Sequence, residues 1–280
     1  MSSSSSETPL ISIITVVYND RDNVEQTIKS VLSQDCTNFE YVVVDGKSSD
    51  GTLDVIKRYE ARIDRWVSES DKGIYDAMNK GTELARGTFV NYLNAGDTFY
   101  DEKVLGKVEQ ALMEAGDIDV LYGRAVNRTE GEQAVRYEKG EQITKDTLFS
   151  RIPFCHQAMF FRREVFLKQG GYDLQFKVIA DYAWTVRYAL SRPDMTGFHF
   201  LDELMVEYLD GGFSFQNIRL AGDEKLRLAK QHFSGKYLWK NYLTYLSFRF
   251  KSVIIPLMEK WQLLSRYRNI KYRLSGKMVP

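Results

Sequence analysis

The chain contains few cysteines, histidines and prolines. Its 280 residues include 2 cysteines, 3 histidines and 5 prolines. Cys36 and Cys155 cannot form a framework of several disulfides, and neither belongs to a CxxC pair. The sequence therefore excludes a disulfide-stapled domain, a cysteine-based zinc site and a CxxC redox centre. We expect both cysteines to be reduced, packed thiols.

No long apolar segment opens the chain. The first apolar run begins at Leu10, and the serines from Ser2 to Ser6 lack the basic start and hydrophobic core of a signal peptide. We expect residues 1–8 to form a flexible leader, and we expect the protein to be cytoplasmic.

The charge is balanced overall but unevenly distributed. The formal net charge is zero, with 38 basic and 38 acidic residues. Residues 217–280 contain 14 Lys and Arg against 3 Asp and Glu, which leaves 24 against 35 in residues 1–216. Residues 1–216, called the body, thus have a net charge of −11, and residues 217–280, called the tail, have a net charge of +11. This asymmetry predicts different roles for the two parts. The chain is 44% apolar and can bury a full hydrophobic core.

Apolar runs alternate with helical patterns along the body. Leu10 to Tyr18 and Phe39 to Val44 predict buried strands, and an apolar stripe between them predicts a helix. Further helices are predicted at 51–59, 73–85, 102–115, 164–169 and 180–191. Further strands are predicted at 65–68, 88–93, 119–122, 125–128, 133–137 and 153–161. This order predicts an α/β fold with a mostly parallel central sheet flanked by helices.

Carboxylates recur where the predicted strands end. Asp45, Asp71 and Asp97 follow three of the apolar runs, and Asp181 comes later in VIADYAW. Because the carboxyl ends of parallel strands face one crevice, we expect these side chains to converge on a ligand. Capping of a following helix is the alternative for Asp71, and it is the favoured interpretation for Asp50.

From Leu10 to about Ser214 the chain resembles the family 2 glycosyltransferases, which are nucleotide-sugar enzymes of the GT-A fold. It is most similar to soluble bacterial members that assemble surface polysaccharides or lipid-linked saccharides. The resemblance rests on the blocks SIITVVYN, YVVVDGKSSDGT, SESDKGIYDAMNKGTELARGTFVNYLNAGD, CHQAMFFRR, GGYDLQFKVIADYAW and YLDGGFS. It implies a Rossmann-like GT-A domain over 9–216, with a nucleotide-sugar half at 9–100 and an acceptor half at 101–216.

The resemblance also implies a reaction and its residues. The reaction is an inverting, metal-dependent hexosyl transfer from a nucleotide-diphosphate sugar, expected to be a UDP-sugar, to a saccharide or lipid-linked saccharide. Asp181 is the implied general base, although Ala180 replaces the Glu that usually precedes it. The implied donor site consists of Thr15, Val17, Tyr18, Asn19, Asp45, Asp71, Lys72, Tyr75, Asn79, Asn94 and Ala95. The implied acceptor side consists of His156, Gln157 and Asp173.

The segment Asn94 to Asp97 departs from the metal motif of the family, which is usually aspartate, any residue, aspartate. Asn94 and Gly96 stand at positions that are often acidic, so Asp97 is the only carboxylate. Mg²⁺ or Mn²⁺ can bind through one carboxylate, phosphate oxygens and waters, and Asp97 is therefore the predicted metal ligand.

The depleted motif leaves open a second class of protein, a catalytically weak glycosyltransferase-like binding or scaffold protein. A sugar nucleotidyltransferase is a third alternative, although the chain lacks the Gly-rich N-terminal loop with Arg and Lys of those enzymes. The absence of GxGxxG after the first strand disfavours a Rossmann cofactor enzyme.

The tail at 217–280 predicts a basic amphipathic helix. Apolar residues recur at helical spacing among lysines and arginines, at Leu243, Leu246, Phe250, Val253, Ile254, Leu257, Trp261 and Leu264. Arg249, Lys251 and Pro256 argue against a spanning helix, so we expect residues 239–275 to lie on an anionic membrane, at the inner face of a bacterial plasma membrane. Packing against the catalytic domain or in a homodimer is the alternative. No nucleic-acid-binding motif accompanies the basic residues, so no nucleic acid partner is expected.

Overall fold

The computed structural model describes residues 8–128, 135–138, 141–209 and 213–260. Most of the predicted leader, Gly211, Gly212 and the tail positions after Lys260, among them Trp261 and Leu264, lie outside the described residues.

Strands and helices alternate through the first part of the chain, as the sequence predicts. They are β1 (Ile11–Val17), α1 (Arg21–Leu32), β2 (Phe39–Asp45), α2 (Thr52–Arg58), β3 (Arg65–Ser68), α3 (Ile74–Leu84) and β4 (Phe89–Tyr92). β1 lies between β2 and β4, and β3 pairs with β2, with all three pairings parallel. The carboxyl ends of these four strands therefore face the same edge of the sheet.

The second part of the chain completes the sheet less regularly. Its elements are β5 (Thr98–Phe99), α4 (Val104–Glu114), β6 (Val120–Arg128), β7 (Val135–Glu138), α5 (Lys145–Ser150), β8 (Met159–Arg162), α6 (Arg163–Lys168), α7 (Ala180–Ser191), β9 (Phe198–Leu209), α8 (Phe213–Gln216), α9 (Ile218–His232) and α10 (Gly235–Lys260). The strand order is β3-β2-β1-β4-β8-β6-β9-β5, with β7 on β6. β8 is antiparallel to β4 and β6, whereas β9 is parallel to β6. The sheet is thus parallel at one side and mixed at the other.

The second part differs from the sequence-based expectations at several elements, including β5 and α5, which were not predicted. β9 was not predicted, and the strand predicted across 153–161 begins only at Met159. Residues 156–158 form a short 3-10 helix instead. The Asn91 side chain on β4 explains this change, because its amide donates to the Gln157 and Met159 carbonyls at 2.7 and 2.9 Å. The Asn91 side chain thereby replaces some of the backbone hydrogen bonds that a longer strand would form with its neighbour.

Both faces of the sheet are buried. Along β1, Ile14 and Val16 belong to the hydrophobic cluster on one face, and Ile11 and Ile13 to the cluster on the other. Alternating apolar residues that pack on opposite faces are what a strand between two helical layers requires. Gly81 of α3 allows close packing on β1, since a Cβ there would lie 2.5 Å from the Ile14 Cγ2 atom.

The first part of the tail packs against the body. The Asn241 side chain of α10 is buried and donates to the Phe149 carbonyl at 2.7 Å. Lys236 and Lys240, also on α10, pair with Asp146 of α5 at 2.9 and 3.1 Å. α9 and the start of α10 are therefore part of the packed structure, and the division at residue 216 marks a change in charge rather than an end of packing.

Lys225 of α9 carries a buried ammonium group. The residue is 4% exposed, its Nζ atom lies 3.4 Å from the Ser150 carbonyl oxygen, and it stands 5.2 Å from the centre of the Tyr182 ring. Burial lowers the pKa of Lys225 to about 8, from an ordinary value of 10.5. A charge held this way destabilises the folded protein at neutral pH.

We expect Lys225→Met to raise the free energy of unfolding by about 2 kcal/mol at pH 7, because methionine fills the space without a charge to desolvate. The folded pKa lies below the unfolded one, so the penalty is fully present below pH 8 and disappears as pH rises to about 10.5. Urea unfolding at pH 7 and pH 10 measures the difference between variant and wild type, which should shrink at pH 10. Lys230→Met, at an exposed position of the same helix, is the control. An equal increase in the free energy of unfolding at both pH values would show that the buried charge of Lys225 is not its cause.

Candidate active site

A cleft of about 570 Å³ opens at the carboxyl ends of the parallel strands. Seven of the eleven predicted donor-site residues line it: Val17, Tyr18, Asp71, Lys72, Tyr75, Asn94 and Ala95. They come from the ends of β1 and β4 and from the start of α3. The structure therefore brings together side chains up to 78 positions apart in the sequence, as parallel strands ending at one edge allow.

The turn before α3 forms one wall of the cleft. The Asp71 carboxylate accepts from the Gly73 N–H at 2.7 Å, and the Lys72 N–H donates to Asp76 at 2.9 Å. Gly73 itself is the N-cap, with φ of 121°, and no side chain caps the helix. A Cβ at Gly46 would lie 2.5 Å from an Asp71 oxygen, so glycine at this position lets the two strand ends approach closely.

The carboxylates after β2 are engaged within the protein. Asp45 is buried and accepts hydrogen bonds from the Ser48 N–H and hydroxyl and from the Ser68 hydroxyl, the latter at 2.5 Å. Asp50 accepts from the Thr52 N–H and hydroxyl at 3.0 and 2.6 Å, while Gly51 is the N-cap of α2. Neither residue lines the cleft. A contact between Asp45 and the base of a donor stays a prediction.

Three other predicted donor residues do not line the cleft. Thr15 is buried and its hydroxyl donates to a backbone carbonyl at 2.8 Å. Asn19 accepts from the Ser49 N–H at 2.8 Å. Both polar atoms of Asn79 bind the backbone of Tyr172, each at 2.9 Å. The structure thus gives all three a supporting role, and their direct contact with a donor stays a prediction.

The turn from Asn94 to Asp97 is held by Thr27 of α1. The Thr27 hydroxyl donates to the Asp97 carbonyl at 2.8 Å and accepts from the Gly96 N–H at 3.0 Å. The Asp97 carboxylate, 7% exposed, accepts from the Gln157 side chain at 3.0 Å. These contacts fix the turn beside the cleft. Asn94 and Ala95 of this turn line the cleft.

The same turn contains oxygen atoms suited to a divalent cation. Asn94 Oδ1 is buried without a hydrogen-bond partner, and Asp97 supplies a carboxylate. Across the part of the chain that the structure describes, no three His, Cys, Asp or Glu side chains are grouped closely enough to hold a metal ion. These donors fit a cation that takes its other ligands from phosphate oxygens and water, as Mg²⁺ commonly does.

Asp181 lies in the first turn of α7, where two side chains hold its carboxylate. The Tyr75 hydroxyl lies 3.0 Å from Asp181 Oδ1, and His156 Nδ1 lies 3.2 Å from Oδ2. His156 Nε2 in turn lies 3.2 Å from the side-chain nitrogen of Asn94. A neutral histidine with its proton on Nδ1 satisfies both contacts, donating to Asp181 and accepting from Asn94. This network links the Asp97 turn to Asp181.

The environment of Asp181 keeps the carboxylate ionised. Burial raises its pKa, but the hydrogen bonds from His156, the Tyr182 N–H and the Tyr75 hydroxyl outweigh burial and hold the pKa below its ordinary value. The side chain remains 15% exposed. Asp181 is therefore an oriented, charged acceptor for a proton at neutral pH.

The predicted acceptor-side residues differ in their surroundings. Only His156 contacts Asp181. Gln157 lies between Asp97 and the Cys155 thiol, from which it accepts at 2.8 Å. Asp173 accepts from a backbone N–H two residues later at 2.9 Å, in the turn before the cleft segment. None of the three lines the cleft, and their contact with an acceptor stays a prediction.

Several residues of the site were missed in the sequence. Phe176, Lys177 and Phe213 line the cleft. Asn91, which holds the 3-10 helix bearing His156, is fully buried in β4. The signal for Asn91 was an amide inside the apolar run FVNYL. Phe176 and Lys177 stand in the block GGYDLQFKVIADYAW, in which only Asp173 and Asp181 were given roles.

The comparisons with known proteins bear directly on this geometry. The sequence matches the family model described as Glycosyl transferase family 2 over residues 12–171, more than half of the chain. The chain belongs to this family. A similar relative is the PGL/p-HBAD biosynthesis glycosyltransferase of Mycobacterium tuberculosis, which is 34% identical over 182 residues, or 64% of this chain and 69% of the relative. The expected family is thereby confirmed.

Solved structures of other glycosyltransferases share the fold of this family 2 protein. S. aureus TarS 1–349 superposes with a TM-score of 0.62 at 16% identity, covering 86% of this chain and 72% of TarS. The mannosyltransferase PcManGT from Pyrobaculum calidifontis, in complex with GDP-Man and Mn2+, gives 0.60 at 17% identity and covers 94% and 83%. The predicted GT-A fold is confirmed by this likeness.

Proposed function

We propose that this family 2 glycosyltransferase moves a sugar from a nucleotide-diphosphate sugar, a UDP-sugar, to a hydroxyl group of a saccharide or lipid-linked saccharide, with inversion at the anomeric carbon. The observation that carries the proposal is Asp181, an ionised carboxylate held by Tyr75 and His156 next to a cleft. The cleft is lined by Asp71 and Lys72, two residues implied in donor binding.

In the proposed step, the acceptor oxygen bonds to the anomeric carbon as the bond to the nucleotide diphosphate breaks. Asp181 accepts the proton that the acceptor hydroxyl loses, and the hydrogen bonds from Tyr75 and His156 keep its carboxylate oriented for this transfer. Asn94 and Asp97 would hold a divalent cation, which supplies positive charge to the departing diphosphate. Tyr18, 65% exposed at the mouth of the cleft, is placed to stack on a base.

The donor class is supported by the fold relatives. TarS 1–349 has been solved with UDP and with UDP-GlcNAc, and PcManGT with GDP-Man and Mn2+. Both neighbours therefore bind a nucleotide sugar, and the PcManGT complex also contains Mn2+. The role in cell-surface polysaccharide assembly is part of the proposal.

We expect one uridine nucleotide to stabilise the protein selectively in a thermal-shift experiment with UDP, GDP, their sugars and matched monophosphates. The shift should increase with Mn²⁺, because the cation joins the diphosphate to the Asn94 to Asp97 turn. UMP, which has no diphosphate, is the control and should show little dependence on Mn²⁺. A flat response to every nucleotide from folded protein would instead favour the binding or scaffold alternative.

We further propose that α10 places the enzyme on an anionic membrane surface. One face of the helix exposes a stripe of large apolar residues, each between 40 and 66% exposed, at Trp239, Tyr242, Leu243, Leu246, Phe250, Val253 and Leu257. Among the helices within the described ranges, none is long and apolar enough to cross a bilayer. A helix with this stripe and a strongly basic chain around it is suited to the interface, where a lipid-linked acceptor would be met. The place of action in this proposal is the cytoplasmic face of the membrane.

A further inference from the structure

A carboxylate of α9 binds three successive backbone amides just before Asp181. Glu224 Oε1 accepts from the Lys177 N–H at 2.6 Å, and Oε2 accepts from Val178 and Ile179 at 3.0 and 3.3 Å. The residue is 4% exposed. A buried carboxylate in this position is held by its hydrogen bonds, and charge-assisted bonds of this kind are about twice as strong as neutral ones.

The segment Lys177 to Ile179 leads directly into α7. Ile179 is the N-cap of that helix and contributes no side-chain cap, so the amides at this end need another acceptor. Glu224 accepts from the N–H of the N-cap Ile179 and from the two N–H groups before it, and its negative charge lies where the helix dipole favours an anion. Asp181 is two residues further along, in the first turn.

The opposite side of this segment is bound by the active site. The Tyr75 hydroxyl lies 2.8 Å from the Val178 carbonyl oxygen and 3.0 Å from Asp181 Oδ1, so its single hydrogen is shared between two acceptors. Val178 is therefore held through its N–H by Glu224 and through its carbonyl by Tyr75. Lys177 lines the cleft at the same place. Two anchors from distant parts of the chain thus define the path of the backbone that carries Asp181.

We propose that Glu224 is a positioning residue for sugar transfer, which sets the location of Asp181 by fixing the Lys177 to Ile179 backbone. The inference rests on the proposed function of Asp181 as the proton acceptor. Glu224 is 43 residues beyond Asp181, in the part of the chain whose composition suggests a tail. The basic region at 217–280 therefore contributes to the catalytic site, in addition to its proposed membrane role.

Glu224→Gln tests the proposal. The substitution keeps the size of the side chain but turns an amide donor toward one or more backbone N–H groups, which then lose their acceptor. We expect the turnover number for transfer to fall about tenfold or more, because a displacement of about 1 Å at a reacting group can cost a hundredfold. Thermal stability of the variant is compared with that of Leu228→Ala, an apolar substitution at a buried site of the same helix. Leu228→Ala should lose stability without a comparable loss of turnover per folded molecule.

The double variant with Asp181→Asn separates positioning from other roles. If Glu224 acts through Asp181, Glu224→Gln should cause no further loss once Asp181 is replaced. A further tenfold loss in the double variant would overturn the inference, and so would wild-type turnover of the single variant. Near-native turnover of Asp181→Asn alone would instead overturn the proposed function, so the two failures are distinguishable.

Hydrogen exchange in the wild-type protein gives a test that needs no variant to fold. The amides of Val178 and Ile179 should exchange as slowly as those inside α7, since Glu224 accepts from both. Fast exchange at these two positions in the folded protein would show that the carboxylate does not hold them, and the inference would be wrong.

Discussion

Asp181→Asn is expected to reduce sugar transfer by about a hundredfold or more, the scale of losing a general base. The amide preserves the shape of the side chain and can still accept from Tyr75 or His156, but it cannot take up the proton of an acceptor hydroxyl. Nucleotide affinity should remain unchanged, because Asp181 does not line the donor cleft. The loss should therefore fall on turnover and leave donor binding intact.

Single-turnover transfer assays and nucleotide thermal shifts measure these two quantities separately. Asp223→Asn, which removes an exposed carboxylate from α9, is the matched control and should retain wild-type transfer. Transfer by Asp181→Asn at a near-native rate would remove Asp181 from the role of base. Hydrogen bonds that outweigh burial hold the pKa of Asp181 below its ordinary value, so inactivation of the wild-type enzyme between pH 5 and 6 would report a different group.

Replacing Leu246, Phe250 and Val253 together by asparagine is expected to weaken binding to anionic vesicles more than about a hundredfold. Each side chain is at least 46% exposed on the stripe of α10, and burying an apolar side chain of this size contributes about 1.5 to 3 kcal/mol. Asparagine leaves the net charge unchanged, so the loss reports apolar contact alone. Sedimentation with phosphatidylglycerol vesicles measures it, and phosphatidylcholine vesicles should bind the wild type more weakly.

A second triple variant controls for the loss of exposed apolar surface. Met113, Leu167 and Leu190 are also exposed but lie on other helices, and their replacement by asparagine should leave vesicle binding unchanged. Deleting α10 would be a poorer test, because the helix also packs on α9, where a Cβ at Gly222 would lie 2.8 Å from the Phe248 Cβ. Undiminished sedimentation of the stripe variant would argue against the membrane. If the stripe variant instead fails to form a dimer that the wild type forms, the stripe is an interface with a second copy of the chain.

The parallel half of the fold could be predicted from the sequence because its signals are local. Each strand from β1 to β4 is a short apolar run, and α3 was predicted at 73–85 and found at Ile74–Leu84. Seven of the eleven positions that the family resemblance implied for the donor site also line one cleft. Local pattern sufficed here because parallel strands bring their carboxyl ends together without further information.

The remaining features depend on contacts between distant residues. The strand predicted across 153–161 was shortened by Asn91, and Asn79 was drawn away from the cleft surface by the backbone of Tyr172. No sequence pattern marked Glu224 as part of the site, because a glutamate in a basic amphipathic segment is normally exposed to solvent. Its partners are amides 45 to 47 residues away, which no periodicity reveals.

The order of strands in the sheet has a consequence for synthesis of the protein. β6 is separated from β4 by β8, and β5 joins the sheet only through β9, which ends at Leu209. The parallel strands can assemble soon after they leave the ribosome. β5 and β6 cannot complete their pairing until β9 emerges, about a hundred residues after β5 and fewer after β6. A nascent chain paused before Phe198 would lack β9, so the side of β6 that pairs with β9 would be open to association with other chains. Translation speed across this interval is therefore expected to influence how much of the protein reaches the folded state.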